Sequence, residues 1–326
     1  MSKIISGFCF SIVALSVLSL EAKPTIVIDG SSTVFPISEG IAEEFQIQQP
    51  QYRVAVASSG TGGGFKKFCK GEVDLVGASR PIEATEIDLC AKASIEFIEL
   101  PIAYDGIVLV VNKNNTWAKN LTTAELKKIW EPGSSVKNWK DIRPGFPDLK
   151  LSLYAPGPDS GTFDYFTKVI NGKEKASRSD YSASESDFVI VKGVAGDTGG
   201  LGYFGFAYYD SNQSKLNALT VEADQGPVLP SMTSIASGAY RPLSRPLFVY
   251  VSKKSLQRPE VKSISQFFVQ NAEVISAEVG YVGLGKTVYQ QVLARLEDGV
   301  SGSIFRLTGL EKQSSVAEVL SGSKAK

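Results

Sequence analysis

The sequence predicts an α/β protein of two domains, on three observations. Three segments repeat one order: a strand-like run, a loop rich in Ser, Thr and Gly, then apolar residues at helical spacing. Strands go on alternating with helices elsewhere, which argues for layered sheets with mostly parallel strands. The chain has 326 residues, 43% of them apolar, enough to fill more than one core.

The elements follow in order. Met1, Ser2 and Lys3 precede the apolar run "IISGFCFSIVALSVLSL" and then "EAKP", a secretory signal pattern over residues 1–22 with cleavage expected after Ala22. The competing reading is an uncleaved anchor, since the run is nearly long enough to span a bilayer. Cys9 lies within the signal and lacks a lipobox, which argues against a lipoprotein. In "PTIVIDGSSTVFPISEGIAEEFQ", Ile26, Val27 and Ile28 read as a strand and Ile37, Ile41 and Phe45 as one helix face. "YRVAVASSGTGGGFKKFCKG" repeats this, with a strand from Val54 to Ala57 and Phe65, Phe68 and Cys69 on a helix. "EVDLVGASRPI" and "LPIAYDGIVLVVN" read as buried strands, and "TTAELKKIWEPG" opens with a Thr122 to Glu125 capping box. "LSLYAPGPDSGTFDYFTKVI" is the third repeat, with Phe163, Phe166 and Ile170 as its stripe. "RPLFVYVSKK" is a further strand, followed by a helical pattern at Val261, Ile264, Phe267 and Phe268. The polar tail at 321–326, "SGSKAK", is expected to be disordered.

Composition removes several functions. Lys plus Arg and Asp plus Glu balance at 34 each, so no net field draws a nucleic-acid backbone or an acidic membrane surface. Histidine is absent, and with it Ser-His-Asp and Cys-His catalysis, HExxH zinc sites and imidazole proton shuttles. Beyond Cys9, the cysteines are Cys69 and Cys90, an even pair in an exported chain, and one disulfide is expected.

The three loops carry the chemistry. A helix N-terminus presents unpaired amide donors and about half a positive charge, so an anion can sit there without a lysine. Glycine admits close backbone approach, and hydroxyls add donors. One such loop alone reads as ordinary N-capping; three of them, together with Arg80 in "ASRPI", favour an oxyanion site. Two other motifs weigh less. Gly280 to Thr287, "GYVGLGKT", matches GxxxxGK[ST], but too little chain follows it to build a nucleotide-binding sheet. "DSGT" at Asp159 and "DTGG" at Asp197 match the paired loops of aspartic proteases, yet both fall in one apparent domain. An exported hydrolase, using these aspartates or a serine without histidine, is therefore the alternative function.

In the order "GSSTVFP", "SSGTGGG", "ASRPI", "DSGT", the motifs make the chain resemble the periplasmic phosphate-binding proteins of Pst-type ABC transporters, particularly their SphX-like branch, over essentially the whole mature chain. "GLGYFGFAYY" and "GYVGL" extend the likeness. The resemblance implies a two-lobe periplasmic binding protein fold of type II, two mostly parallel or mixed sheets joined by a crossing-strand hinge. The lobes would be residues 24–107 plus 246–320 and residues 108–245, with "YDGIVLVVN" and "SRPLFVYV" crossing between them. It implies a monomeric, non-enzymatic receptor that needs no cofactor, captures inorganic phosphate in the periplasm and delivers it to a membrane ABC permease. Ser32, Thr33 and the Val34 amide match the first loop, Ser59 and Thr61 compete for the second, Ser79 and Arg80 fall in "ASRPI", and Ser160, the Gly161 amide and Thr162 match the third. The chain departs from the family pattern in two places. Much of the family has a proton-accepting aspartate after "AS", where this chain has Arg80, and an arginine just upstream of "SGT", where it has Pro156. Asp105 and Asp159 are the candidates for the missing proton acceptor, and selectivity between phosphate and another oxyanion such as sulfate stays open.

Overall fold

The computed structural model describes residues 23–223, 226–305 and 316–322; the predicted signal peptide at 1–22 lies outside them. The first two strand–loop–helix units are β1 (Thr25–Gly30) with α1 (Phe35–Gln48), and β2 (Arg53–Val56) with α2 (Thr61–Phe68), followed by β3 (Leu75–Ala78) and α3 (Ala84–Lys92). β1 lies between β2 and β3, parallel to both, with Ile28 beside Val56 on one side and Leu75 on the other. Ile37, Ile41 and Phe45 recur at a spacing of four along α1, which puts them on one face, and all three are fully buried, as are Phe65 and Phe68 of α2. Cys69 and Cys90 form a disulfide, Cα atoms 4.3 Å apart, that ties the end of α2 to α3. Closing a loop of this size restricts the unfolded chain by about 3 kcal/mol in the loop-entropy account.

β4 (Phe97–Asn112) then crosses out of this lobe. Fifteen of its sixteen residues are buried, as its continuous apolar run requires for a strand covered on both faces. The second lobe contains β5 (Asn120–Thr122), α4 (Thr123–Trp130), β6 (Ser152–Pro156), α5 (Gly161–Asn171), β7 (Ser182–Ser184), α6 (Asp187–Gly196), β8 (Gly200–Gly205) and α7 (Phe206–Asp210). It continues through β9 (Leu216–Ala218), β10 (Thr220–Ala223), β11 (Gly226–Val228) and α8 (Met232–Ala236). β6–loop–α5 is the third repeat, with Phe163, Phe166 and Ile170 buried, and the Thr122–Glu125 capping box forms at the start of α4. β12 (Ser244–Ser252) returns the chain beside β4, and α9 (Pro259–Glu278), α10 (Lys286–Glu297) and α11 (Val316–Gly322) complete the first lobe.

The strand order is β2-β1-β3-β12-β4-β8-β6-β7. Pairing is parallel within β2-β1-β3 and within β8-β6-β7, but antiparallel from β3 through β12 and β4 to β8. Of the mostly parallel or mixed sheets expected, the mixed form is found, because β4 leaves and β12 comes back alongside it. Two hydrophobic cores follow. They part between Ala103 and Ile107 on β4 and between Leu243 and Leu247 at β12, with Ala207 of α7 reaching across to the first core.

The nucleotide-motif match has a structural role. α9 precedes it rather than a strand, Val282 exchanges backbone hydrogen bonds with Tyr104 of β4, and Gly285, at φ 85°, caps α10. The tail expectation needs correction at two residues: Ser321 and Gly322 end α11, which Val316, Val319 and Leu320 bury against the first core. Residues 323–326 lie outside the described chain. Among the described residues no helix is long and apolar enough to cross a membrane.

Candidate anion-binding site

The loops that follow β1, β2 and β6 stand at the same end of their strands and face one another across the seam between the lobes. Thr33 Oγ1 of the first loop is 3.2 Å from Thr162 Oγ1 of the third. Thr61 Oγ1, at the start of α2, is 3.2 Å from Ser79 Oγ and also accepts the Ser79 amide. Gly161 joins these two pairs: a Cβ there would lie 2.6 Å from both Ser79 Oγ and Thr61 Oγ1, so only glycine lets the third loop come this close. Ser160 caps α5 by accepting the Thr162 amide. The lobes are also joined by backbone, with Gly62 N donating to Asp159 O at 2.9 Å. Thr33, Thr61, Ser79, Ser160 and Thr162 are all buried.

A guanidinium completes this cluster, and it belongs to Arg245. Its side chain has 0% exposure. Nη2 donates to Thr162 Oγ1 at 2.7 Å, to Asp105 Oδ2 at 3.1 Å and to Thr33 Oγ1 at 3.4 Å; Nη1 donates to Gly161 O at 3.2 Å. Among the described residues Nε has no hydrogen-bond partner. Arg245 sits at the start of β12, in register with Asp105 on β4, so the two crossing strands present the cation at the hinge. Sequence reasoning missed it. "SRPLFVYV" reads as a buried strand, and the available signal was an arginine on a strand otherwise built to be buried, where an unpaired charge is costly.

The other predicted residues separate. The Val34 amide closes a turn onto Ser31 O at 3.1 Å. Ser32 Oγ points to Asp187 Oδ2 at 3.4 Å, and Ser32 O accepts from Tyr208. Ser59 Oγ donates to Asp29 at 2.9 Å, which leaves Thr61 as the second-loop hydroxyl in the cluster. Arg80 is also buried, but its N–H groups are spoken for within the protein: Nε binds Asp164 at 2.7 Å, Nη1 binds Glu86 and Pro81 O, and Nη2 binds Glu86 and lies 3.2 Å from Glu83. Burial opposes its charge, and Glu86, Asp164 and Glu83 outweigh burial and hold the guanidinium firmly protonated.

Of the carboxylates, Asp159 is half exposed and pairs with Lys66 across the seam. Asp105 is fully buried against Arg245 and also accepts the Phe206 amide at 3.1 Å; burial raises its pKa and Arg245 opposes the rise. Asp187, unmarked in the sequence because "SESDF" reads as an ordinary acidic helix start, is buried at the first position of α6. Among the described residues its Oδ1 has no hydrogen-bond partner, and burial together with the like charge of Asp105 pushes its pKa up to about 7. Asp197 caps Gly199 where β8 begins, whereas Asp159 follows β6 where that parallel strand ends. The two aspartates of the protease-like motifs therefore stand at opposite ends of the second-lobe sheet, and the shared-proton pair of an aspartic protease does not form.

Comparison with known proteins gives the same architecture a lineage. Residues 19–272 match the PBP superfamily domain. The chain is 47% identical over 286 residues to Protein SphX of Synechococcus elongatus, covering 87% of this chain and 84% of that one. It is 36% identical over 272 residues to the phosphate-binding protein PstS of Staphylococcus epidermidis, covering 83% and 82% respectively. A Clostridium perfringens chain crystallised with bound phosphate superposes with a TM-score of 0.68 at 26% identity, covering 79% of this chain and all but 1% of that one, of which 99% is matched. With two α/β lobes, crossing strands and converging hydroxyl loops in place, the chain belongs to the periplasmic binding protein superfamily, in the family of the SphX and PstS phosphate-binding proteins.

Proposed function

We propose that this chain is an exported, non-enzymatic receptor that closes its lobes over inorganic phosphate and presents it to a membrane ABC permease. The observation that carries this reading is the buried cluster in which hydroxyls from both lobes surround the Arg245 guanidinium. Thr33, Thr61, Ser79, Ser160 and Thr162 would donate to phosphate oxygens, joined by the Gly161 amide at the start of α5, where the helix dipole favours an anion. Arg245 would supply the charge-assisted donors. Its position at the hinge, contacting Thr33 of one lobe and Thr162 of the other, ties ligand capture to closure, since only the closed form brings both loops within reach.

The guanidinium that the family pattern places upstream of "SGT" thus has a substitute on β12, and Arg80 keeps a structural partner set. Asp187 is the carboxyl we assign to accept the proton of phosphate, in place of Asp105, which Arg245 already engages, and of Asp159, which faces outward to Lys66. Export rests on the signal pattern at residues 1–22. The aspartic form of the hydrolase alternative loses its support with the separation of Asp159 from Asp197.

Titration calorimetry of unfolded, ligand-stripped and refolded protein with phosphate, sulfate and molybdate tests the assignment. One phosphate per chain with far weaker sulfate binding is expected. Sulfate binding without phosphate binding would overturn the ligand, and turnover of phosphate esters or peptides would overturn the receptor.

A further inference from the structure

Arg80 and Asp164 form a buried ion pair between the lobes, and this pair stands one residue behind the anion site. Arg80 follows Ser79, whose hydroxyl faces Thr61 and Gly161; Asp164 lies two residues past Thr162 in the first turn of α5. Nε of Arg80 donates to Asp164 Oδ2 at 2.7 Å, with side-chain exposures of 3% and 1%. The two ends are anchored differently. Arg80 is held within its own lobe by both oxygens of Glu86, whereas among the described residues of its own lobe the cation paired with Asp164 is Lys175, at a looser 3.9 Å. Separating the lobes would therefore leave Arg80 paired and would return Asp164 to water.

We infer that the Arg80–Asp164 pair is a closure latch, a pair of positioning residues that hold the α5 loop over Ser79 and slow ligand release without touching the ligand. It rests on the receptor reading for its effect on phosphate, but not for its effect on closure. The pair forms only when the lobes meet, so it belongs to the closed state and acts on dissociation. Association begins from the open form, where the pair is absent, and is left nearly unchanged.

The test uses the full mature chain with Arg80→Gln, Asp164→Asn and the double variant. Spin labels at exposed Gln48 of α1 and Lys173 beyond α5, each replaced by Cys, report the distance between the lobes. In ligand-stripped protein each single variant should shift the distance distribution toward open, and the double variant should shift it no further than the stronger single one. With phosphate, each single variant should raise the dissociation rate by about ten- to a hundredfold, the range left when one partner of a buried pair is removed and the open state can rehydrate the other. Unchanged distance distributions in Asp164→Asn would overturn the latch. So would additive losses in the double variant, because Arg80 would then act independently of Asp164, as a direct ligand would. Failure of the wild type to bind phosphate would remove the phosphate reading and leave the distance measurement to decide the latch.

Discussion

Replacing Arg245 by Ala removes the guanidinium that, among the described residues, lies within the hydroxyl cluster, and the structure sets the size of the loss. Nη2 reaches Thr162 at 2.7 Å and Thr33 at 3.4 Å, and among the described residues Nε has no hydrogen-bond partner, so two N–H groups can turn to an oxyanion held between those hydroxyls. A hydrogen bond to a charged group contributes about 1.5–3 kcal/mol. Two of them give about 3–6 kcal/mol, a loss of roughly two to four orders of magnitude in affinity. The substitution has a second cost that must be kept apart from the first. Asp105 would be left fully buried without its cation, and breaking a buried pair this way destabilises by about 3–5 kcal/mol. Adding Asp105→Asn should therefore restore much of the melting temperature and none of the affinity. Arg245→Lys should retain part of the binding, because an ammonium keeps the charge but not the planar fork. Calorimetry with phosphate and a thermal melt on the same samples separate the two effects. If Arg245→Ala with Asp105→Asn binds phosphate within threefold of wild type, the guanidinium is a hinge strut and the assignment fails.

Two further outcomes follow from the same geometry. Thr61→Ala should weaken phosphate binding about tenfold through loss of a donor to a charged ligand, whereas Ser59→Ala, which gives up only a contact to Asp29, should stay within about twofold; the reverse order by calorimetry would exchange their roles. Asp187 is raised to about 7 by burial and by Asp105, against about 4 for an unfolded aspartate, so between those values the native state holds a proton the unfolded state has released. Its contribution to stability accordingly falls as pH rises from about 4 to 7 and stays lost above. Asp187→Asn mimics the protonated form and should raise the melting temperature at pH 8, leave it nearly unchanged at pH 4 and flatten the slope between; identical pH slopes in mutant and wild type would refute this.

Much of the frame was legible because local chemistry decides it. The loops after β1, β2 and β6 carry glycine and hydroxyls just where helices begin, and the apolar stripes of α1, α2 and α5 point to their sheets at helical period. The mixed pairing came only from the family resemblance and not from local pattern, because strand direction depends on β12 returning beside β4 after more than a hundred intervening residues. The site divides along the same line. Thr33, Ser160 and Thr162 belong to their own loops and could be named from them, whereas Arg245 comes beside Thr33 and Thr162 only when β4 and β12 cross and the lobes meet. Arg80 is the converse case. Its chemistry suited an oxyanion, but Glu83 and Glu86, three and six residues on, supply most of its partners, and Asp164 arrives from the other lobe. "RPIEATE" held that local warning. Asp187 gave none, since an aspartate opening a helix is common and its burial depends on the packing of α6 against the first loop.

On the proposed function, one tetrahedral oxyanion sits between the lobes on Thr33, Thr61, Ser79, Ser160, Thr162 and Arg245. A crystal structure of the protein with arsenate, which has the shape and charge of phosphate and scatters anomalously, tests it most directly. A single strong anomalous peak is expected at the seam, within hydrogen-bonding distance of the Arg245 guanidinium and of hydroxyls from both lobes, with Arg80 still bound to Glu86 and Asp164. A peak held instead by Arg80, or one placed away from the seam, would contradict it.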